Sequence, residues 1–146
     1  MAIYHLEAKV ISRGVGRSAV AASAYMSCSH IYNDYDGIQH DYTRKQGLVY
    51  EQVLLPPQAP PEWKDRSILW NAVEKAEKTK DSRLAREFVV ALPMELSKEE
   101  NISLLTEYVQ ENFVNEGMCA DFYIHDTDGH NPHAHIMLTV RPLDEN

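Results

Sequence analysis

Residues 125–141 read His-Asp-Thr-Asp-Gly-His-Asn-Pro-His-Ala-His-Ile-Met-Leu-Thr-Val-Arg, and their alternation decides the fold. From Pro132 onward His133, His135, Met137, Thr139 and Arg141 fall on one side of an extended chain, while Ala134, Ile136, Leu138 and Val140 fall on the other. The preceding stretch divides in the same way, with Ala120, Phe122 and Ile124 against Cys119, Asp121, Tyr123 and His125. Between them, residues 126–132 contain Asp-Gly and Asn-Pro and form a loop by composition. Two strands joined by a short loop predict an antiparallel hairpin, which brings His125 beside His133 and His135. Three imidazoles from paired strands make a facial set that leaves open positions on a divalent ion. A lone histidine in a hairpin is ordinarily a surface or core residue. The pair at i and i+2 with a third opposite is what points to a metal, and His130 in the loop is read as a bystander.

A chain of 146 residues fits one domain with a real core. Its 44% hydrophobic and 25% charged residues are those of an ordinary globular protein. No apolar run approaches the length that spans a bilayer, and the first residues lack a secretory pattern, so no membrane association and a cytoplasmic location are expected. Cys28 and Cys119 have neither metal-site nor redox spacing and read as reduced thiols. The net charge of -8 argues against binding nucleic acid through bulk charge; any DNA contact must come from local basic residues and a metal.

Outward from the hairpin, residues 2–13 alternate as a strand, with Tyr4, Leu6, Ala8 and Val10 on one face and His5, Glu7, Lys9 and Arg13 mostly on the other. Gly14-Val15-Gly16 breaks it. Ser18 is a fair N-cap for a helix over residues 19–29, whose small side chains allow close approach to a sheet. On spacing alone, Tyr25 in that helix is a packing residue. Residues 31–47 show little periodicity and read as an irregular excursion, with a short edge strand over 42–45. Residues 48–55 form a strand, and residues 56–62, with four prolines, a stiff connector. Asp65 caps a helix whose Leu69, Val73 and Ala76 share one side, while Glu74, Lys75, Glu77 and Lys78 read as a solvated face. Residues 82–92 form another strand, in which Arg86 and Glu87 must reach the sheet edge or find partners. Ser97 and Glu100 make a capping box that opens a helix carrying Ile102, Leu105, Val109 and Phe113, ending near Gly117. The expected architecture is α+β: an antiparallel or mixed central sheet, helices packed on one face, and an open polar floor on the other.

These residues resemble a known family. His133-Ala134-His135 with His125 upstream is similar to the metal motif of the MobA/MobL (MobQ-type) plasmid mobilisation relaxases of the HUH endonuclease superfamily. Residues 2–6, Ser12-Arg13 and the run from Gly16 to Tyr25 are similar to the family segment that ends in its catalytic tyrosine. Leu69-Trp70-Asn71, Val73-Glu74 and the stretch from Arg86 to Pro93 are a third similar piece. Three motifs in the right order cover nearly the whole chain, and the resemblance moves Tyr25 from packing residue to nucleophile.

It implies an HUH relaxase-like fold and a DNA relaxase that nicks one strand at a plasmid origin of transfer to start conjugative mobilisation. Its tyrosine attacks a phosphate of single-stranded DNA, leaving a 5′-phosphotyrosyl enzyme and a free 3′-hydroxyl. Tyrosine phenols ionise only near pH 10, so such a nucleophile needs a base or a cation's field. His125, His133 and His135 would hold a divalent metal, Mn²⁺ or Mg²⁺ in this family, although zinc or nickel would also suit imidazoles. Glu87 would act with them by orienting a ligand histidine or the metal's water, or would be a structural partner of Arg86. Arg13, Arg17, Arg44, Lys45 and Arg141 are candidate DNA contacts, and accessory relaxosome proteins are possible partners. Tyr25 is followed by Met26-Ser27-Cys28 where the family commonly has a basic residue and a glycine. Residues 1–146 are expected to be a relaxase domain lacking C-terminal helices and further domains. The competing readings are a rolling-circle replication initiator, in which the tyrosine usually lies downstream of the histidines, and a non-catalytic module that binds metal or single-stranded DNA.

Overall fold

A computed structural model of the protein describes residues 5–15, 17–35, 37–43, 47–76, 83–93, 95–126 and 132–140; for residues 5–7 and 15 it describes the backbone alone. Arg44, Lys45, His130 and Arg141 lie outside the described residues, as do Glu77 and Lys78.

The chain runs β1 His5–Ser12, α1 Ala19–Ser27, β2 His30–Asn33, β3 Ile38–Asp41, β4 Leu48–Leu54, α2 Arg66–Ala76, β5 Arg83–Ala91, α3 Lys98–Val109, β6 Ala120–His125 and β7 His133–Leu138. Five strands form one sheet in the order β1-β5-β7-β6-β4, and every neighbouring pair is antiparallel. The two histidine-bearing strands are interior, β7 between β5 and β6, and β6 between β7 and β4. The protein is thus the α+β type with an antiparallel sheet that the alternation predicts.

Residues 31–47, expected to be irregular, contain the separate hairpin β2–β3. The pattern was hard to see because only Ile31 and Asn33 of its strands are buried. The backbone N–H and hydroxyl of Thr43 both donate to Asp41 Oδ1, at 3.0 and 2.7 Å, a side-chain turn that ends β3 where a further edge strand was expected.

The oily face of the sheet carries α3. Leu105 and Val109 pack with Val90, Phe122, Ile124, Ala134, Ile136 and Leu138, and the predicted Ser97–Glu100 capping box is formed. Helices extend beyond this face, however. Ile11, Val53, Ala85, Tyr123 and Met137, which share the histidine face by register, pack with Ala19, Val20 and Ala24 of α1 and with Leu69 and Trp70 of α2. The expected open floor is therefore roofed over part of its area. The roof is possible because α1 presents alanines and serines, so its backbone can approach the strands closely.

Candidate active site

The register that builds β6–β7 sets His125 opposite His133 and Tyr123 opposite His135. All four, with Asp121 and Met137, share one sheet face. The imidazoles of His125 and His135 meet edge to face, with centroids 5.3 Å apart and planes at 82°. His125 is 9% exposed and the other two histidines are half-buried.

On the neighbouring strand Arg86 is exposed, whereas Glu87 is 4% exposed and faces the histidines. Glu87 Oε2 lies 3.3 Å from His135 Nδ1. The alternative pairing of Glu87 with Arg86 is not how the strand resolves: adjacent residues point to opposite faces, and the buried carboxylate takes His135.

As the side chains stand, no group of three or more His, Cys, Asp and Glu among the described residues is arranged to hold a metal ion. The donor chemistry nevertheless fits one. Two imidazoles already adjoin, a carboxylate on Nδ1 of His135 leaves Nε2 as the ligand atom, and His133 sits directly across from His125.

Tyr25 occupies the last turn of α1, on the same side of the sheet, and is 50% exposed. Its ring contacts Tyr42 edge to face at 5.2 Å. Ser18 caps the helix start by accepting from Ala21 N at 3.1 Å. Two residues after Met26 the helix closes: Cys28 adopts the left-handed conformation, φ 53°, and the N–H groups of Cys28 and Ser29 donate to the carbonyls of Tyr25 and Ala24.

Two buried carboxylates meet α1, Asp121 of β6 beneath it and Glu74 of α2 at its first turn. Asp121 is fully buried and accepts from Ser23 Oγ at 3.1 Å, Trp70 Nε1 at 2.9 Å and Arg66 Nη2 at 3.1 Å, as well as from the Tyr123 hydroxyl. Arg66 also pairs with Glu51 and lies over the Tyr123 ring. Burial works against the Arg66 charge, but Asp121, with Tyr123 and Glu51, more than offsets it, and the guanidinium holds its proton more tightly than usual. Burial, followed by the Asp121 charge, pushes the Tyr123 phenol well above the ordinary range; burial alone lifts the Cys119 thiol to about 12.

The second carboxylate corrects two expectations. Glu74 is 2% exposed, not part of a solvated face: it accepts from Ser18 Oγ at 2.8 Å and Val20 N at 2.9 Å, with Asn33 Nδ2 nearby. A negative charge at the first turn of α1 also suits the helix dipole. Arg13, expected to face DNA, has a side chain only 8% exposed, donates to the Glu74 carbonyl at 2.8 Å and stacks on Tyr35 with its guanidinium carbon 3.8 Å from the ring centroid. It ties the end of β1 to α2. Arg17 is exposed.

An interior histidine pair, a buried carboxylate on one of its rings and a half-exposed tyrosine on a helix thus share one side of the sheet. The chain belongs to the MobA/MobL family, whose family model matches residues 17–146. It is 44% identical over 156 residues to a conjugal transfer protein TraA of Rhizobium radiobacter, covering 99% of this chain and 14% of that protein. It is 39% identical over 145 residues to a probable mobilization protein MobA of Bifidobacterium longum (strain NCC 2705), covering 99% of this chain and 26% of the relative. A solved structure described as "Molecular Basis of Vancomycin Resistance Transfer in Staphylococcus aureus" superposes with a TM-score of 0.92 at 41% identity, over 99% of this chain and 74% of that one. The chain thus spans 14% of the length of TraA.

Proposed function

We propose that this chain is the nicking domain of an HUH-type plasmid relaxase, acting on single-stranded origin-of-transfer DNA with accessory proteins of mobilisation. The Tyr25 Oη attacks the scissile phosphorus as its proton passes to solvent; the P–O3′ bond to the upstream nucleotide breaks and the departing 3′ oxygen takes up a proton from solvent, giving a 5′-phosphotyrosyl protein and a free 3′-hydroxyl. The reverse attack rejoins the strand. A divalent ion, Mn²⁺ or Mg²⁺, held by His125, His133 and His135 would supply Lewis-acid stabilisation of charge on the non-bridging oxygens. Glu87 fixes the ring orientation of His135. Half exposure of the phenol leaves the nucleophile accessible to a strand, and Arg17, with Arg44, Lys45 and Arg141, contributes backbone contacts.

The observation that carries this reading is topological: a helix bearing an exposed tyrosine lies across the same face of the sheet as the central histidine strands. The mobilisation proteins among the relatives support it. The test is a labelled single strand carrying the cognate origin, incubated with the protein and Mn²⁺ and resolved under denaturing conditions. A covalent protein-DNA band is expected, lost in Tyr25→Phe and after chelation. Binding with no such band, in folded and metal-loaded protein, would sink the nickase reading in favour of a non-catalytic module.

A further inference from the structure

Ser23 stands two residues before Tyr25 on α1, and Tyr123 stands two residues before His125 on β6. Their hydroxyls are 2.8 Å apart, and both meet the buried carboxylate of Asp121. We propose that Ser23, Tyr123 and Asp121 form a polar clamp between α1 and β6 that sets where the Tyr25 phenol stands relative to the histidines, making all three positioning residues for the nicking step. This inference rests on the proposed nicking activity.

The need for such a device follows from how α1 packs. Its buried apolar residues are Ala19, Val20, Ala24 and Met26, and apolar contacts are weakly directional, so they do less than hydrogen bonds to fix the position of a short helix on a sheet. Hydrogen bonds depend steeply on distance and angle. Those to a carboxylate are the stronger kind, and the Asp121 oxygens are themselves held from the α2 side by Arg66 and Trp70. Ser23 is therefore bound to an anchor whose position two other elements determine. Ser27 donates to the Ser23 carbonyl at 2.7 Å, across the turn that contains Tyr25. An attacking atom displaced by an ångström loses much of its reactivity while the substrate still binds.

Ser23→Ala is the informative variant, because alanine keeps the helix and leaves Asp121 with Arg66, Trp70 and Tyr123. The rate of covalent adduct formation at saturating strand is expected to fall about tenfold, with strand affinity essentially unchanged. Tyr123→Phe removes the Ser23–Tyr123 contact but leaves Ser23 on Asp121, so its loss should be no larger, and the double variant should be no slower than Ser23→Ala, which alone removes every α1 contact of the clamp. Wild-type rates in Ser23→Ala, a loss confined to affinity, or full additivity in the double variant would overturn the clamp. Should the wild-type protein form no adduct at all, the nicking reading fails by itself, and amide hydrogen exchange then decides the clamp. Faster exchange in α1 of Ser23→Ala, with β6 and β7 unchanged, supports it; unchanged exchange in α1 overturns it.

Discussion

Across one face of the sheet, Leu105 and Val109 of α3 meet Val90, Phe122, Ile136 and Leu138 in an apolar layer. Across the other, α1 and α2 meet the strands around Asp121 and each other around Glu74, two carboxylates with at most 2% of their surface exposed. Both layers bury side chains from the same strands, yet they solve different problems. Apolar burial supplies stability in proportion to area and tolerates small shifts of a helix. Buried hydrogen-bonded charges add little net stability against an apolar alternative, but they admit few arrangements. The layer proposed to hold a nucleophile over metal ligands is the one built with charges.

The largest expected effect breaks the polar layer outright. Asp121→Ala leaves the Arg66 guanidinium, the Trp70 N–H and the Tyr123 hydroxyl short of their shared acceptor, and should cost about 3–5 kcal/mol in urea unfolding. A loss under about 1 kcal/mol would mean that water or Glu51 readily replaces it. On the opposite layer, Leu105→Ala removes a fully buried side chain and should cost about 3 kcal/mol. In protein still folded at the assay temperature, its adduct rate at saturating strand should match wild type; a fall as large as that of Ser23→Ala would erase the proposed distinction between the faces. The smallest effect concerns the end of α1. Cys28 pays the left-handed backbone penalty of roughly 1 kcal/mol, of which glycine recovers all but its own unfolded-state entropy. Cys28→Gly is expected to raise the unfolding free energy by a few tenths of a kcal/mol, read as a slightly higher unfolding midpoint, and a clear drop would show that the thiol has contacts worth more than the strain.

Much of the framework was legible in the sequence because it depends on period. Alternation gave β6 and β7 and the common face of His125, His133 and His135; capping residues gave the starts of α1, α2 and α3. What escaped depends on distant partners. Asp121 looks like any polar residue of an alternating strand until Ser23, Arg66 and Trp70 arrive from 98, 55 and 51 residues away. Glu74, flanked by Lys75 and outward-looking in sequence, is buried for the same reason, with Ser18 56 residues distant. A faint signal existed: Asp121 and Tyr123 share the parity of His125, and a carboxylate and phenol so close to a ligand position invite a search for partners. The β2–β3 hairpin was missed because its strands are four residues each and mostly exposed, which leaves periodicity little to register.

The contact between Ser23 and Tyr123 spans 100 residues. During translation, therefore, the helix carrying Tyr25 leaves the ribosome long before the strands it must face exist. On the proposed reading, with Tyr25 as the nucleophile, an emerging polypeptide cannot cut DNA before β6 and β7 have been made.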